Sequence, residues 1–381
     1  LIFWYKKLKY YISRPKGEVV LSSAYHGFGV KLDEIGYASY SFPWALSILP
    51  SILTFSEFLK FRKFKKKLES INFNEFFLPQ YQNEINEMSD ILKSIYNKSN
   101  IEAMFYSNDI GFFERLSINI AKELCIPTFI VTHGAAPRYS NLVNDNRTDY
   151  LLTFGDIIKN NFVKSGFNSD KIFVFGHPFY SNLKIDSLRF DFENILVISK
   201  PLPGQPLESS SRFSGYENDR TRISDRGNAL LYLIFIEKVL ISLNIKKVRL
   251  RLHPSENAVW FKKCINTSFY EIDYLPLKKS LDTASLVIGP TTSVFVDALF
   301  HGVNFTIFEP LYKNGTDILN HPVGHPFDGS DLRIPVAKTE KKLLEILQNK
   351  TKVDLSVLND FVAKDFNLNF INGLIKSKNG G

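Results

Sequence analysis

Short apolar runs alternate with longer stretches whose apolar positions recur at helical spacing, and this rhythm repeats along most of the chain. Residues 18–23 (EVVLSS), 103–107 (AMFYS), 128–132 (TFIVT), 150–154 (YLLTF) and 171–175 (KIFVF) read as buried strands. Helical periodicity fills 76–96, 111–124 and 157–165 between them. A second series opens at 194–199 (NILVIS), crosses a long polar loop to a strong helix over 227–243, and continues with strands at 247–252, 269–272, 286–288 and 304–308. Strands separated by single helices predict parallel sheets with crossover helices, because parallel neighbours cannot be joined by a tight hairpin. Between 181 and 192 the run SNLKIDSLRFDF breaks both periods and marks a domain boundary. The pattern therefore predicts an α/β protein of two Rossmann-like domains facing a central cleft. We take residues 1–185 as the first domain, 186–335 as the second, and 336–381 as short helices packing across both.

Composition agrees with this picture and narrows the class. A chain of 381 residues that is 44% apolar and 14% aromatic can fill more than one core. Its 17 Pro and 20 Gly are too few for long disorder. The two cysteines, Cys125 and Cys264, cannot build a disulfide framework or a zinc cluster, so a reducing cytoplasm is expected. No apolar run reaches the roughly 20 residues of a membrane span, and the first residues lack the apolar core and cleavage site of a signal peptide.

The formal net charge of +8 is concentrated locally. Residues 1–16 (LIFWYKKLKYYISRPK) and 58–67 (FLKFRKFKKK) mix Lys and Arg with aromatics, which suits a solvated helix face with a buried aromatic side. The same mixture fits peripheral contact with anionic headgroups on the cytoplasmic face of the inner membrane. No zinc finger, homeodomain arm or RNA-binding aromatic strand accompanies the charge, so nucleic acid is not expected as a partner.

The segment 249–309 carries the clearest chemistry. RLRLHPSE reads as a strand ending in a His-Pro turn, and LVIGPTTSVFVDALFHGVNFTIFEP as a strand, a Thr-Thr-Ser turn, a helix and another strand. Gly289 and Pro290 end the strand. Thr291, Thr292 and Ser293 then stand where a helix exposes unpaired N–H groups, more hydroxyls than an N-cap needs. A phosphate is the natural guest. Glu309, ending the next strand, is placed to accept ribose hydroxyls, and His253 with Pro254 to contact a phosphate oxygen or a departing nucleotide. All seven histidines, His26, His133, His177, His253, His301, His321 and His325, precede Gly or Pro, which places them at element ends. His321 and His325 do not form a helical metal pair, since Pro322 and Gly324 intervene, and His301 reads as a helix end before a capping Gly302.

A His-Pro turn followed by a Ser/Thr turn resembles the nucleotide half of GT-B glycosyltransferases that use CMP-activated acidic sugars. TTSVFVDALFHGVNFTIFEPLYKNGTD is similar in order and type to the β-Kdo transferase modules of capsule and O-antigen assembly. The likeness spans roughly 194–317, about a third of the chain. It implies a GT-B-like fold with an acceptor-side first domain and a nucleotide-sugar second domain. It also implies CMP-Kdo as donor, a glycan or glycolipid acceptor in lipopolysaccharide or capsule synthesis, and contact with other assembly modules. That family carries an Asp in a polar loop ahead of the His-Pro turn; here NDRTRI places Asp219 there, with Asp225 close behind.

An ionised loop aspartate can attack the donor's anomeric carbon, giving a glycosyl-enzyme and retention after a second displacement, as the resemblance implies. A general base on the acceptor would instead give one inverting step, as in sialyltransferase-like enzymes, and Asp109 after the strand at 103–107 is then the candidate. Asn108-Asp109-Ile110-Gly111 departs from the acidic-acidic-Gly pattern of those enzymes. The donor's carboxylate suits a guanidinium fork or ammonium, for which Arg212, Arg220, Arg222, Arg226 and Lys200 are available; His133 and Arg138 are candidates for donor or acceptor. The chain contains no Asp-x-Asp triplet, so neither metal nor other cofactor is expected. It also lacks a G-x-x-x-x-G-K-[ST] loop and an opening G-x-G-x-x-G, which argues against kinases and dehydrogenases. Besides a retaining CMP-sugar transferase, the open classes are an inverting one, a CDP-polyol phosphotransferase, a nucleotide-sugar epimerase and a non-catalytic glycan-binding module.

Overall fold

The computed structural model describes residues 17–25, 27–45, 49–70, 78–109, 111–132, 148–199, 223–254, 256, 258–319 and 323–379, together with Trp4, Tyr5, Leu8 and Ile12. The chain divides into two compact units. The first takes the described residues up to Asn182 and those from Val362 onward; the second takes those between Leu183 and Phe361. The tail over 336–381 is thus divided between the two.

Unit 1 is a six-stranded, wholly parallel sheet in the order β2-β1-β3-β4-β5-β6. Its strands are β1 (Glu18–Ser22), β2 (Tyr37–Tyr40), β3 (Ile101–Tyr106), β4 (Thr128–Val131), β5 (Tyr150–Thr153) and β6 (Ile172–Val174). Around it lie α1 (Phe28–Glu34), α2 (Phe55–Ser70), α3 (Gln82–Ser99), α4 (Phe112–Glu123) and α5 (Asp156–Lys164), with α12 (Asn369–Asn379) returning from the chain end. The strands are short and apolar on both faces because helices cover both, as parallel sheets require. Phe105, Phe129 and Tyr150 stack across β3, β4 and β5 with ring centroids 4.8 and 5.1 Å apart. Each buried ring contributes roughly 1.5–3 kcal/mol through area removed from water. The returning tail is held by main-chain contacts: Ala363 N–H donates to the Phe154 carbonyl and Asn367 N–H to that of Phe175. Gly176, at φ 84°, lies so close under this tail that a Cβ would approach the Asp365 carbonyl oxygen to 2.2 Å.

Unit 2 repeats the plan as a second parallel sheet, in the order β12-β11-β10-β7-β8-β9. It contains β7 (Ile195–Ile198), β8 (Val248–Arg251), β9 (Tyr270–Ile272), β10 (Leu286–Gly289), β11 (Phe305–Phe308) and β12 (Val336–Ala337). Its helices are α6 (Ile223–Ser242), α7 (Ala258–Cys264), α8 (Leu277–Thr283), α9 (Val294–Phe300), α10 (Glu340–Gln348) and α11 (Leu358–Phe361). The core joins Ile195, Val197, Leu250, Leu286 and Ile288 of the sheet to Tyr232, Ile236 and Leu240 of α6 and to Leu343 and Leu347 of α10. α9 closes as its sequence predicts: Gly302 takes φ 68°, and the N–H of Val303 returns to the Ala298 carbonyl. No described helix is long and apolar enough to cross a membrane.

Candidate functional site

In an open parallel sheet a ligand crevice forms beyond the strand carboxyl ends, where the order of strands reverses. In unit 2 the chain lays β8 and β9 on one side of β7 and then returns to place β10 on the other, so the reversal falls between β7 and β10. Beyond these two strands lie Ser199 and, after Gly289 at the end of β10, Pro290-Thr291; on the outer flanks lie His253 beyond β8 and Glu309 beyond β11. At about 4.8 Å per strand, the His253 and Thr291 backbones stand roughly 10 Å apart. Gly289 cannot be larger: a Cβ would come within 2.7 Å of the Phe305 ring and 3.0 Å of Ile198 Cβ. The close approach of β10 to both neighbours at the crevice floor depends on it.

The Thr-Thr-Ser turn is built differently from a simple capped helix. Ser293 precedes α9 with helical angles and no side-chain capping bond, while the Thr292 hydroxyl accepts the Val294 N–H at 3.4 Å. Thr291 Oγ1 is buried and has no hydrogen-bond partner among the described residues, whereas the Thr291 N–H donates to Glu309 Oε1. A buried hydroxyl without a partner is rare, and a bound group is one physical reason for it. Glu309 is only 2% exposed, so it is a buried clamp on the turn and not a solvent-facing strand end.

The His-Pro turn is fastened to β7. His253 N–H donates to Glu256 Oε2 at 2.7 Å and shares Ser199 Oγ at 3.0 Å; the Ser199 hydroxyl also donates to Glu256 Oε2. Burial pushes the Glu256 carboxyl up to about 7, opposed by the Ser199 and His253 bonds. Ser199 and Glu256 were missed by sequence reasoning, although Glu256 stands inside the HPSE string. A carboxylate a few residues after a turn is a signal for a returning bond to the turn's N–H, but its partner on β7 is legible only from the sheet order.

The structure thus brings His253, Pro254, Thr291, Thr292, Ser293 and Glu309 to one edge of one sheet. Asp109 belongs to unit 1, where it is 2% exposed and lies beyond β3. Unit 1 reverses its strand order between β1 and β3, so Asp109 stands at that unit's own switch point. Nearby, Ser107 N–H donates to Ser23 Oγ at 3.2 Å and Gly111 N–H to Asn108 Oδ1 at 3.1 Å. Glu114, in the first turn of α4, accepts Trp44 Nε1–H at 3.1 Å, and burial raises its carboxyl above the ordinary range. His177 is a core residue, its Nδ1 accepting the Phe179 N–H and its ring stacked on Tyr180 at 4.4 Å. Lys200, Asp219, Arg220, Arg222, His133 and Arg138 lie outside the described residues, as does Arg212; Asp225 and Arg226 fall in α6 with side chains outside the description.

No protein-family model matches the chain, and no curated protein matches it in sequence. Among solved structures it is similar to a Listeria monocytogenes protein assigned as a UDP-N-acetylglucosamine 2-epimerase. The TM-score is 0.54 at 11% identity, over 96% of this chain and 97% of that one. Further matches are the UDP-GlcNAc 2-epimerase of Methanocaldococcus jannaschii in complex with UDP-GlcNAc and UDP (TM-score 0.48, 13% identity, 95% and 99% covered) and Acinetobacter baumannii MurG (0.42, 12%, 95% and 99%). The fold is GT-B-like: two Rossmann-like domains, each a six-stranded parallel sheet flanked by helices.

Proposed function

We propose that the protein is a glycosyltransferase that moves β-Kdo from CMP-Kdo to a lipopolysaccharide O-antigen or capsular acceptor, with retention and without a metal. The observation that carries this reading is the crevice between β7 and β10, where the buried Thr291 hydroxyl, without a partner among the described residues, and the fastened His253 turn face one switch point. Neutralisation of the leaving phosphate falls to His253 and to the turn before α9, since the sequence has no Asp-x-Asp clamp. In the first step the Asp219 carboxylate attacks the anomeric carbon as the bond to the CMP phosphate breaks, and CMP leaves with the electron pair. In the second, the acceptor hydroxyl attacks the same carbon, loses its proton to a base, and releases the carboxylate. Arg220, Arg222 or Lys200 would hold the donor's carboxylate, and His133 or Arg138 the donor or acceptor.

The partners in this reading are a CMP-sugar, a glycolipid acceptor and an anionic membrane surface. α2 supports the last: Phe61, Phe64 and Leu68 point into the core, while Arg62, Lys63, Lys65 and Lys66 are exposed on the outer face. Exposed Trp4 stacks on exposed Phe55 at 5.6 Å beside it.

Nucleotide-dependent melting tests the donor class. Stabilisation by CMP and not by UDP supports the transferase; stabilisation by UDP alone moves the site to an epimerase-like enzyme, and by none to a glycan-binding module. An inverted product would move the catalytic carboxylate to Asp109.

A further inference from the structure

Glu256 lies under the His-Pro turn and takes no part in the chemistry above. It is 8% exposed, and its Oε2 accepts two donors from different elements, the Ser199 hydroxyl after β7 and the His253 N–H after β8. Its own N–H returns to the His253 carbonyl at 2.9 Å, which closes the turn into a ring. Its Oε1 is buried and meets no hydrogen-bond partner among the described residues. Among the described residues, no cation is paired with it. Arg251, at the end of β8, donates to the Leu275 carbonyl at 2.6 Å and to Ser280 Oγ at 3.2 Å, and so is engaged toward β9 and α8. What faces Glu256 from β7 is the Ser199 hydroxyl, and the titratable group on its own turn is the His253 imidazole. Glu309, the other buried carboxyl of this edge, is tied to the Thr291 N–H on the far side of β7.

We propose that Glu256 is a positioning residue of the nucleotide crevice, a clip that holds Ser199 and the His253 turn together and that must be neutral when a phosphate is bound. The inference rests on the nucleotide reading of the site. A neutral carboxyl still accepts both bonds at Oε2, so protonation keeps the clip closed. An ionised one places a charge that no cation among the described residues pairs beside the proposed phosphate site, where low dielectric makes repulsion strong. Burial raises the Glu256 carboxyl to about 7, so the two forms exchange near neutral pH. Phosphate binding is therefore coupled to uptake of a proton, and affinity falls as pH rises through that region.

Calorimetric titration of CMP into the full chain between pH 6 and pH 9, with Glu256→Gln and Glu256→Ala beside the wild type, tests this. Gln keeps an acceptor for both donors and removes the charge, and taking the ratio of wild type to variant at each pH cancels the ionisation of CMP itself. The Gln variant should bind about 30-fold tighter than the wild type at pH 8.5 and converge with it near pH 6. The Ala variant, lacking the clip, should bind roughly tenfold weaker throughout. Gln and wild-type affinities that run parallel across the range overturn the proposal. Should the wild type take no CMP at any pH, the nucleotide reading falls. Glu256 is then judged by melting without ligand: the wild type should lose stability from pH 6 to pH 8 relative to the Gln variant, and parallel melting curves overturn the clip.

Discussion

The two sheets share a plan and differ in what they place at the reversal of strand order. At the edge of unit 1 the residue beyond β3 is a buried carboxylate, Asp109, in a loop fastened by Ser23, Ser107 and Asn108. At the edge of unit 2 the strand ends carry hydroxyls, Ser199 and Thr291, while the Glu256 carboxyl holds the His253 N–H of its own turn and Glu309 holds the Thr291 N–H. One topology therefore supplies two crevices of different chemistry, because strand order fixes where a crevice forms and side chains fix what it holds. In the proposed function the unit 2 edge receives the donor's phosphate, and Asp109 at the unit 1 edge is the base of the inverting alternative.

Substitution of the candidate carboxylates separates the roles of the two units most sharply. Asp219→Ala should lower transfer by about 10³-fold or more and abolish a sugar adduct detectable by mass spectrometry after incubation with CMP-Kdo. Asp109→Asn should leave that adduct in place; loss of transfer in Asp109→Asn alone, with an inverted product, would hand the chemistry to unit 1. Next in size is His253→Ala, expected to cost about 10²-fold in kcat/KM with an unchanged melting temperature. Equal loss of thermal stability would make His253 part of the scaffold only. Gly289→Ala should destabilise unit 2 by about 1–3 kcal/mol, read by denaturant titration, since the new methyl meets Phe305 and Ile198.

How far the sequence could be read follows the same division. Strands flanked by clear helices were legible: β3, β4, β7, β8 and β11 fall where alternation placed them, and α6 covers all but the last residue of the helix read over 227–243. β2 and α1 escaped because Tyr37–Tyr40 is too short to show a period and follows the helix almost directly. β12 is two residues long and exists only through its pairing with β11. In the site, the His253 turn and the hydroxyls at 291–293 could be recognised because adjacent residues carry them. The clip from Ser199 to Glu256 and the clamp from Glu309 to Thr291 could not, since each joins residues far apart in sequence that meet only through strand order.

The pH dependence gives a smaller and more selective effect. Glu256 has a folded pKa raised from 4.5 to about 7, so the folded state holds more protons than the unfolded one between these values. Its contribution to stability is complete below pH 4.5, declines as pH rises, and is lost above about 7, by roughly 1–3 kcal/mol in all. Glu256→Gln should flatten that part of the stability profile. The smallest effect concerns the surface of unit 1: binding to vesicles containing anionic lipid should weaken severalfold with Lys63→Glu and Lys66→Glu, and with salt, while neutral vesicles bind neither form.

In the proposed function the unit 2 crevice holds the CMP half of an acidic sugar donor. Release of CMP from CMP-Kdo, compared with release from CMP-sialic acid under the same conditions and with EDTA present, tests it most directly. A CMP-Kdo transferase should turn over CMP-Kdo at a rate that EDTA does not diminish and that Thr291→Val lowers strongly. Abolition of turnover by EDTA with recovery in magnesium, or full activity in Thr291→Val, would contradict it.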